Sequence, residues 1–274
     1  MRIALFSLFT IFTLLQTANA GEFERLQALR NTEYLQVQAK DIGRPFHIYV
    51  MLPDAYGEDS ERRYPTIYLL DGGGLLPMLG AYHRYLRTLD ETPEAIIVGI
   101  SYGSLDYGNG NYRSTDFTAP SDQRENWGGA EQFRDFLSGE LLPAIEGKYR
   151  SEPSQRIIFG HSLGGQFVLF TAQTRPALFA GYIASNPALH RNLEFFLTTA
   201  PVQRTSSRLF VGNGTQDSEV FRVPALQWTK HWNSLEETSW VLQTMDLAGH
   251  THMSAPPAAF WQGLNWIYAV DSSD

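Results

Sequence analysis

The chain has 274 residues, with 21 Lys and Arg against 29 Asp and Glu and no cysteine. The formal charge of −8 sets up a field that repels phosphate backbones and argues against a nucleic-acid partner. The missing cysteines exclude thiol chemistry, disulfides and Cys-ligated metals, and the length suits one domain with a single large core.

Met1 and Arg2 are followed by an apolar run over 3–15 and by Ala18-Asn19-Ala20, the pattern of a signal peptide cleaved after Ala20. The run is shorter than the roughly 20 residues that a bilayer span needs, and no later stretch is long and apolar enough to span. The expected organisation is a signal peptide over 1–20 and one domain over 21–274, periplasmic or secreted.

Residues 46–52 and 66–70 have strand character and are separated by a turn rich in Pro, Gly and charge, which predicts an N-terminal β-hairpin. Helical spacing covers 75–89, and the all-apolar run at 95–100 is that of a buried parallel strand. Residues 101–127 are dense in Gly, Asn, Asp, Ser and Tyr, and loops of this length in compact domains are usually functional. Apolar residues recur at helical spacing over 129–149, with Pro143 expected to kink or split the helix. Strand 156–159, helix 163–173, strands 181–184, 208–211 and 240–245, and a last helix over 257–268 complete the pattern. Strands alternating with helices predict an α/β fold, a doubly wound, mostly parallel sheet behind the hairpin.

Gly160-His161-Ser162-Leu163-Gly164 satisfies G-x-S-x-G between a predicted strand and a predicted helix. That turn exposes the serine hydroxyl of an α/β-hydrolase, and the helix behind it adds partial positive charge at its first amides. Gly99-Ile100-Ser101-Tyr102-Gly103 matches as well, but a loop follows it, so Ser162 and not Ser101 is the candidate nucleophile.

A serine hydroxyl needs a histidine to take its proton, and the imidazole needs a carboxylate to fix its tautomer. In this class of fold the chain order is Ser, acid, His. Downstream stand His190, His231, His250 and His252. The first two fall in helix-like segments and read as surface residues. The last two share the loop between the final strand and the final helix, and spacing alone does not separate them. Asp217 and Glu219 both follow the strand at 208–211, where open sheets place their sites, and the glycines before Asp217 favour it over Glu219. The amide of Leu163 and that of Gly73, in the glycine run 72–74, are the candidate oxyanion donors.

The segments Tyr68-Leu69-Leu70-Asp71-Gly72, Arg113-Ser114-Thr115-Asp116-Phe117-Thr118, Gly128-Gly129-Ala130-Glu131-Gln132-Phe133, Glu140-Leu141-Leu142-Pro143-Ala144-Ile145, 160–165 and 249–254 together resemble the esterase D-like family, also known as Putative esterase, in its bacterial branch that includes siderophore esterases. The resemblance implies an α/β-hydrolase fold, ester hydrolysis without a cofactor, and a histidine in a Gly-Glu-Thr-His-x-Ser type segment. That pattern falls on 249–254 and selects His252. His250 then stands where the family has an acidic residue, and Ser185-Asn186-Pro187-Ala188-Leu189-His190 departs from the family's Ser-Pro-Ser segment with its tryptophans. Arg113 and His250 are the candidate substrate-binding residues.

The expected activity is serine carboxylic ester hydrolysis on a small-molecule ester through an acyl-enzyme. The alternatives are a siderophore trilactone esterase and a catalytically silent binding module on the same fold. His250 and His252 as a metal site lack further ligands at the usual spacing.

Overall fold

Ile96-Ile97-Val98-Gly99-Ile100-Ser101 is buried at every position, as a strand must be when helices cover both faces of a sheet. In the computed structural model, which describes residues 26–106, 109–198 and 202–269, this strand lies inside one eight-stranded sheet. The expected signal peptide lies outside the described residues. The strands are β1 (Thr32–Ala39), β2 (Arg44–Met51), β3 (Tyr64–Leu69), β4 (Ile96–Ser101), β5 (Ser151–His161), β6 (Gly181–Ser185), β7 (Arg208–Gly214) and β8 (Val241–Leu247). Their spatial order is β1-β2-β4-β3-β5-β6-β7-β8. Both pairings of β2 are antiparallel, and every pairing from β4 to β8 is parallel. The chain has the α/β-hydrolase fold.

The period of two along the strands divides the core between the faces. Tyr68, Val98 and Ile158 pack on one side with Phe133, Phe136 and Phe167. Ile67, Leu69, Ile97, Ile157 and Phe159 face the other side, with Leu76, Leu79, Ala259 and Phe260. The first face carries helices α4 (Ala130–Phe136), α5 (Leu142–Lys148), α6 (Leu163–Thr174) and α8 (Glu219–Asn233), and the second carries α1 (Gly72–Leu75), α2 (Ala81–Leu86) and α9 (Ala255–Tyr268). Short α3 (Arg113–Asp116) and α7 (Leu193–Leu197) lie in connections.

One expectation needs correction. The hairpin joins β1 to β2, through a turn in which Gly43 takes φ 77°; residues 46–52 and 66–70 do not pair. The buried run of β3 draws a parallel partner on each side, whereas β1 is an edge strand, mostly exposed, so an apolar-run reading passes over it. The predicted helix over 129–149 is interrupted just before Pro143. A π turn over Leu137–Leu141 runs directly into the first turn of α5, where Pro143 sits and its missing N–H is tolerated.

The long connection after β4 is pinned rather than loose. Asp116 is buried, pairs with Arg44 and accepts from the Tyr102 hydroxyl at 3.0 Å.

Candidate active site

Ser162 follows β5 directly and opens α6 with φ 58° and ψ −115°, a strained turn that a non-glycine residue adopts only when its surroundings enforce it. The Ser162 N–H donates to the Ser185 carbonyl at 2.9 Å, and the Ser162 carbonyl accepts from the amides of Gln166 and Ala188, each at 3.0 Å. A Cβ on Gly160 would overlap the backbone carbonyl of Gly164 far inside 3.0 Å, whereas one on Gly164 would meet only ordinary contacts from 3.5 Å outward. The tight approach that forms the turn therefore belongs to Gly160.

The candidate base arrives from the far edge of the sheet. The loop after β8 lies on the end of β7. The Gln216 amide donates to the His250 carbonyl at 2.9 Å, and the Gly249 amide to Thr215 Oγ1 at 2.9 Å. This packing sets His252 Nδ1 2.7 Å from Asp217 Oδ2 and His252 Nε2 3.0 Å from Ser162 Oγ. An ionised carboxylate only accepts, so Nδ1 carries the proton and Nε2 is the free acceptor that faces the serine. Asp217 also accepts from the Ser218 amide at 2.7 Å, and its side chain is 3% exposed. Glu219 is exposed in the first turn of α8. His250 Nδ1 instead lies 2.9 Å from the Ser254 carbonyl.

Rings enclose the imidazole of His252. Phe221 stacks on it at 4.3 Å, His161 lies 4.7 Å away on a tilted plane, and His190 meets Phe221 edge-on at 5.1 Å. Burial, with the nearby charges of His252 and Arg113, pushes His161 down to about 3, so it stays neutral around pH 7. Its Nδ1, 3.2 Å from the Ser185 carbonyl, is then the protonated nitrogen. His190 stands in a turn beside this cluster, not in a helix, and burial lowers its affinity for a proton. His231 lies in α8.

Gly72 opens α1, where a Cβ would overlap the backbone of Gly99. The amides of Gly73 and Leu163 stand in the first turns of α1 and α6, where no intrahelical acceptor exists. Asp71, the residue before α1, takes φ 53° and is gripped by a fork from Arg113, Nε to Oδ1 and Nη2 to Oδ2, both at 2.8 Å. Arg113 thus ties the long connection to the glycine run. Ser101 ends β4 and is buried, and its Oγ accepts from the Gly103 amide at 3.3 Å.

Sequence reasoning missed three supporting groups. Gln166 is buried in α6, where its Oε1 accepts from the Ala119 amide and from Asn192, both at 3.1 Å, and its Nε2 donates to the Ala188 carbonyl. Asn186 donates to Asp217 Oδ2 at 2.8 Å. Phe221 is the stacking ring. A polar residue inside the apolar run of α6, and an Asn-Pro step at a strand's carboxyl end, were the available signals for the first two.

Cavities of about 460 Å³ beside Arg30, Asp54 and His83 and about 530 Å³ beside Arg134 and Phe170 lie elsewhere. Neither holds a nucleophile and base in contact, so chemistry and not volume marks the site.

The chain is 34% identical over 184 residues to "Ferri-bacillibactin esterase BesA" of Bacillus subtilis, a match covering 61% of each chain. It is 30% identical over 193 residues to "Siderophore enterobactin esterase" of Emericella nidulans, covering 63% of each. The chain thus spans less than two thirds of these relatives' length. Among solved structures, the BES protein from Bacillus cereus superposes with a TM-score of 0.73 at 26% identity, over 86% of this chain and 96% of that one. Siderophore hydrolase EstB from Aspergillus nidulans superposes with a TM-score of 0.75 at 21% identity, over 86% and 95%, a likeness of fold. The family model described as "Putative esterase" matches residues 39–254, most of the chain's length, and the chain belongs to that family.

Proposed function

We propose that this protein is an exported serine hydrolase that cleaves carboxylic esters through an acyl-enzyme. One observation carries the reading, the unbroken chain of hydrogen bonds from Asp217 through His252 to Ser162 Oγ, at 2.7 and 3.0 Å, in a chain of the esterase family.

The reaction follows from that geometry. Ser162 Oγ attacks the ester carbonyl as its proton passes to His252 Nε2, and the charge gained by the imidazole is balanced by Asp217. The carbonyl oxygen, now an oxyanion, is received by the amides of Leu163 and Gly73, aided by the N-terminus of α6. His252 returns the proton to the departing alcohol, which leaves the acyl group on Ser162. Water, deprotonated by the same nitrogen, releases the acid. Arg113, held by Asp71, and His250 border the substrate's path.

The names of the relatives favour a siderophore ester as substrate, and the signal-peptide pattern over 1–20 favours action outside the cytoplasm. Among the described residues no helix is long and apolar enough to cross a membrane. The test is labelling by a fluorophosphonate with turnover of an ester panel that includes a siderophore trilactone. Ser162→Ala should lose both labelling and turnover while Ser101→Ala keeps both; labelling that survives in the Ser162 variant overturns the proposal. N-terminal sequencing of the exported protein should begin at Gly21.

A further inference from the structure

We infer that Asn186 is a positioning residue for the reaction, the group that holds the Asp217 carboxylate in register with His252; this rests on the catalytic reading proposed above. Three strands that neighbour one another in the sheet, β3, β5 and β6, are each followed within two residues by a non-glycine residue with positive φ: Asp71 at 53°, Ser162 at 58° and Asn186 at 42°. Such residues are uncommon and gather where function enforces them. The first caps the glycine run and the second is the nucleophile. Asn186 needs a reason of the same kind, and its side chain supplies one.

The amide of Asn186 is 2% exposed and uses both ends. Its Oδ1 accepts from the Gly214 N–H at 2.9 Å, and its Nδ2 donates to Asp217 Oδ2 at 2.8 Å. Gly214 N–H can only donate, so the orientation is fixed and an N–H necessarily faces the carboxylate. Its own N–H donates to the Gly212 carbonyl at 2.9 Å, which anchors the residue to β7, the strand that delivers Asp217. Oδ2 of Asp217 is therefore shared by two donors, His252 Nδ1 at 2.7 Å and Asn186 Nδ2 at 2.8 Å, while Oδ1 takes the Ser218 amide. A buried carboxylate keeps its charge and its rotation only through such donors. Without Asn186, Oδ2 would be held by the moving base alone.

Asparagine suits the place for chemical reasons. Alanine has no donor, serine cannot bridge Gly214 and Asp217 at once, and aspartate would set a second carboxylate against the first. With Asn186 included, the adjacent strands β3, β5, β6, β7 and β8 each present a site group at the carboxyl end, with Asp71 and Gly73, Ser162, Asn186, Asp217 and His252 in that spatial order.

The test compares Asn186→Ala and Asn186→Asp with the wild type on one activated ester across pH 5 to 9. Asn186→Ala should lower kcat about 10- to 100-fold, the range set by a hydrogen bond to a charged group, with KM nearly unchanged. Asn186→Asp keeps the shape and the acceptor for Gly214, but its carboxyl group and Asp217 share a proton only at low pH. Its activity relative to wild type should fall as pH rises, a limb the wild type lacks and a purely structural role would not create. Wild-type kcat and pH profile in both variants, or a loss carried wholly by KM, overturns the inference. Should Asn186→Ala fail to fold, the isosteric Asn186→Asp decides. An active Ser162→Ala variant defeats the catalytic reading itself; a dead one alongside a wild-type pH profile in Asn186→Asp defeats only the role of Asn186.

Discussion

Gly160→Ala should remove most of the turnover, and Gly164→Ala should leave it nearly intact, although the Gly-x-Ser-x-Gly pattern treats the two glycines alike. A Cβ on Gly160 would meet the Gly164 carbonyl carbon and oxygen, which are backbone atoms with no rotamer to change. Restoring an ordinary contact takes a shift of roughly 1 Å in the turn that carries Ser162, and misplacement on that scale costs about 100-fold in rate. The same overlap should destabilise the fold by about 1–3 kcal/mol, as overpacking does. On Gly164 the new methyl would lie 3.5 Å from Leu70 Cβ and 3.7 Å from the Asp71 carboxylate, ordinary van der Waals contact, and alanine favours a helix over glycine by up to ~1 kcal/mol. The assay is kcat on an activated ester together with the denaturant midpoint for each variant. Equal losses in the two variants, or an active Gly160→Ala enzyme, would refute the steric account of the turn.

Asp217→Asn should lower kcat by about four orders of magnitude, as loss of a triad carboxylate does, while Glu219→Gln stays near wild type; the reverse result in steady-state kinetics would move the acid to α8. His252→Ala should abolish turnover, whereas His250→Ala, whose ring faces Ser254, should alter KM or the pH profile and spare kcat. Stability should fall on acidification below pH 6.5. Burial, reinforced by Arg87, holds His83 down to about 4, and burial with His252 holds His161 down to about 3. Below the ordinary value of 6.5 the unfolded chain therefore binds more protons than the folded one, so each histidine contributes a loss of up to about 1.4 kcal/mol per pH unit between 6.5 and its folded value. A denaturant midpoint that is flat between pH 6.5 and 4, or a slope unchanged in His83→Gln, would contradict this.

What could be read from the sequence is what local chemistry dictates. The parallel strands β3, β4 and β6 announce themselves because burial on both faces makes them nearly all apolar, and the candidate nucleophile because strand, turn and helix are contiguous around Ser162. The edge strand β1 was missed because its exposed Thr, Glu and Gln residues give no apolar run. Order along the sheet was equally hidden, since nothing local says that β4 lies between β2 and β3. The supporting groups depend on that order. Asn186 becomes informative only once β6 and β7 are neighbours, Phe221 only once α8 is laid beside the loop of His252, and His190, read as a surface residue, only once its turn meets Phe221.

The topology also sets the second serine match apart from the histidine loop. Ser101 and Ser162 both stand at carboxyl ends of strands in the same sheet, and both sequences satisfy the pattern. Neighbouring strands lie about 4.8 Å apart, so the loop after β8 reaches back over three spacings, roughly 14 Å, to meet the serine that follows β5. To meet one on β4 it would cross five, roughly 24 Å, past the end of β5 itself. The loop's anchors are on β7 and just beyond it, at Gly214, Thr215 and Gln216, which bring His252 as far as β5 and no further. Ser101 is left beside Gly73, where a Cβ on that glycine would stand 2.7 Å from its Oγ. Its place is against the glycine run, holding space next to a candidate oxyanion donor. A histidine needs to reach only one of the two serines, and the strand order determines which.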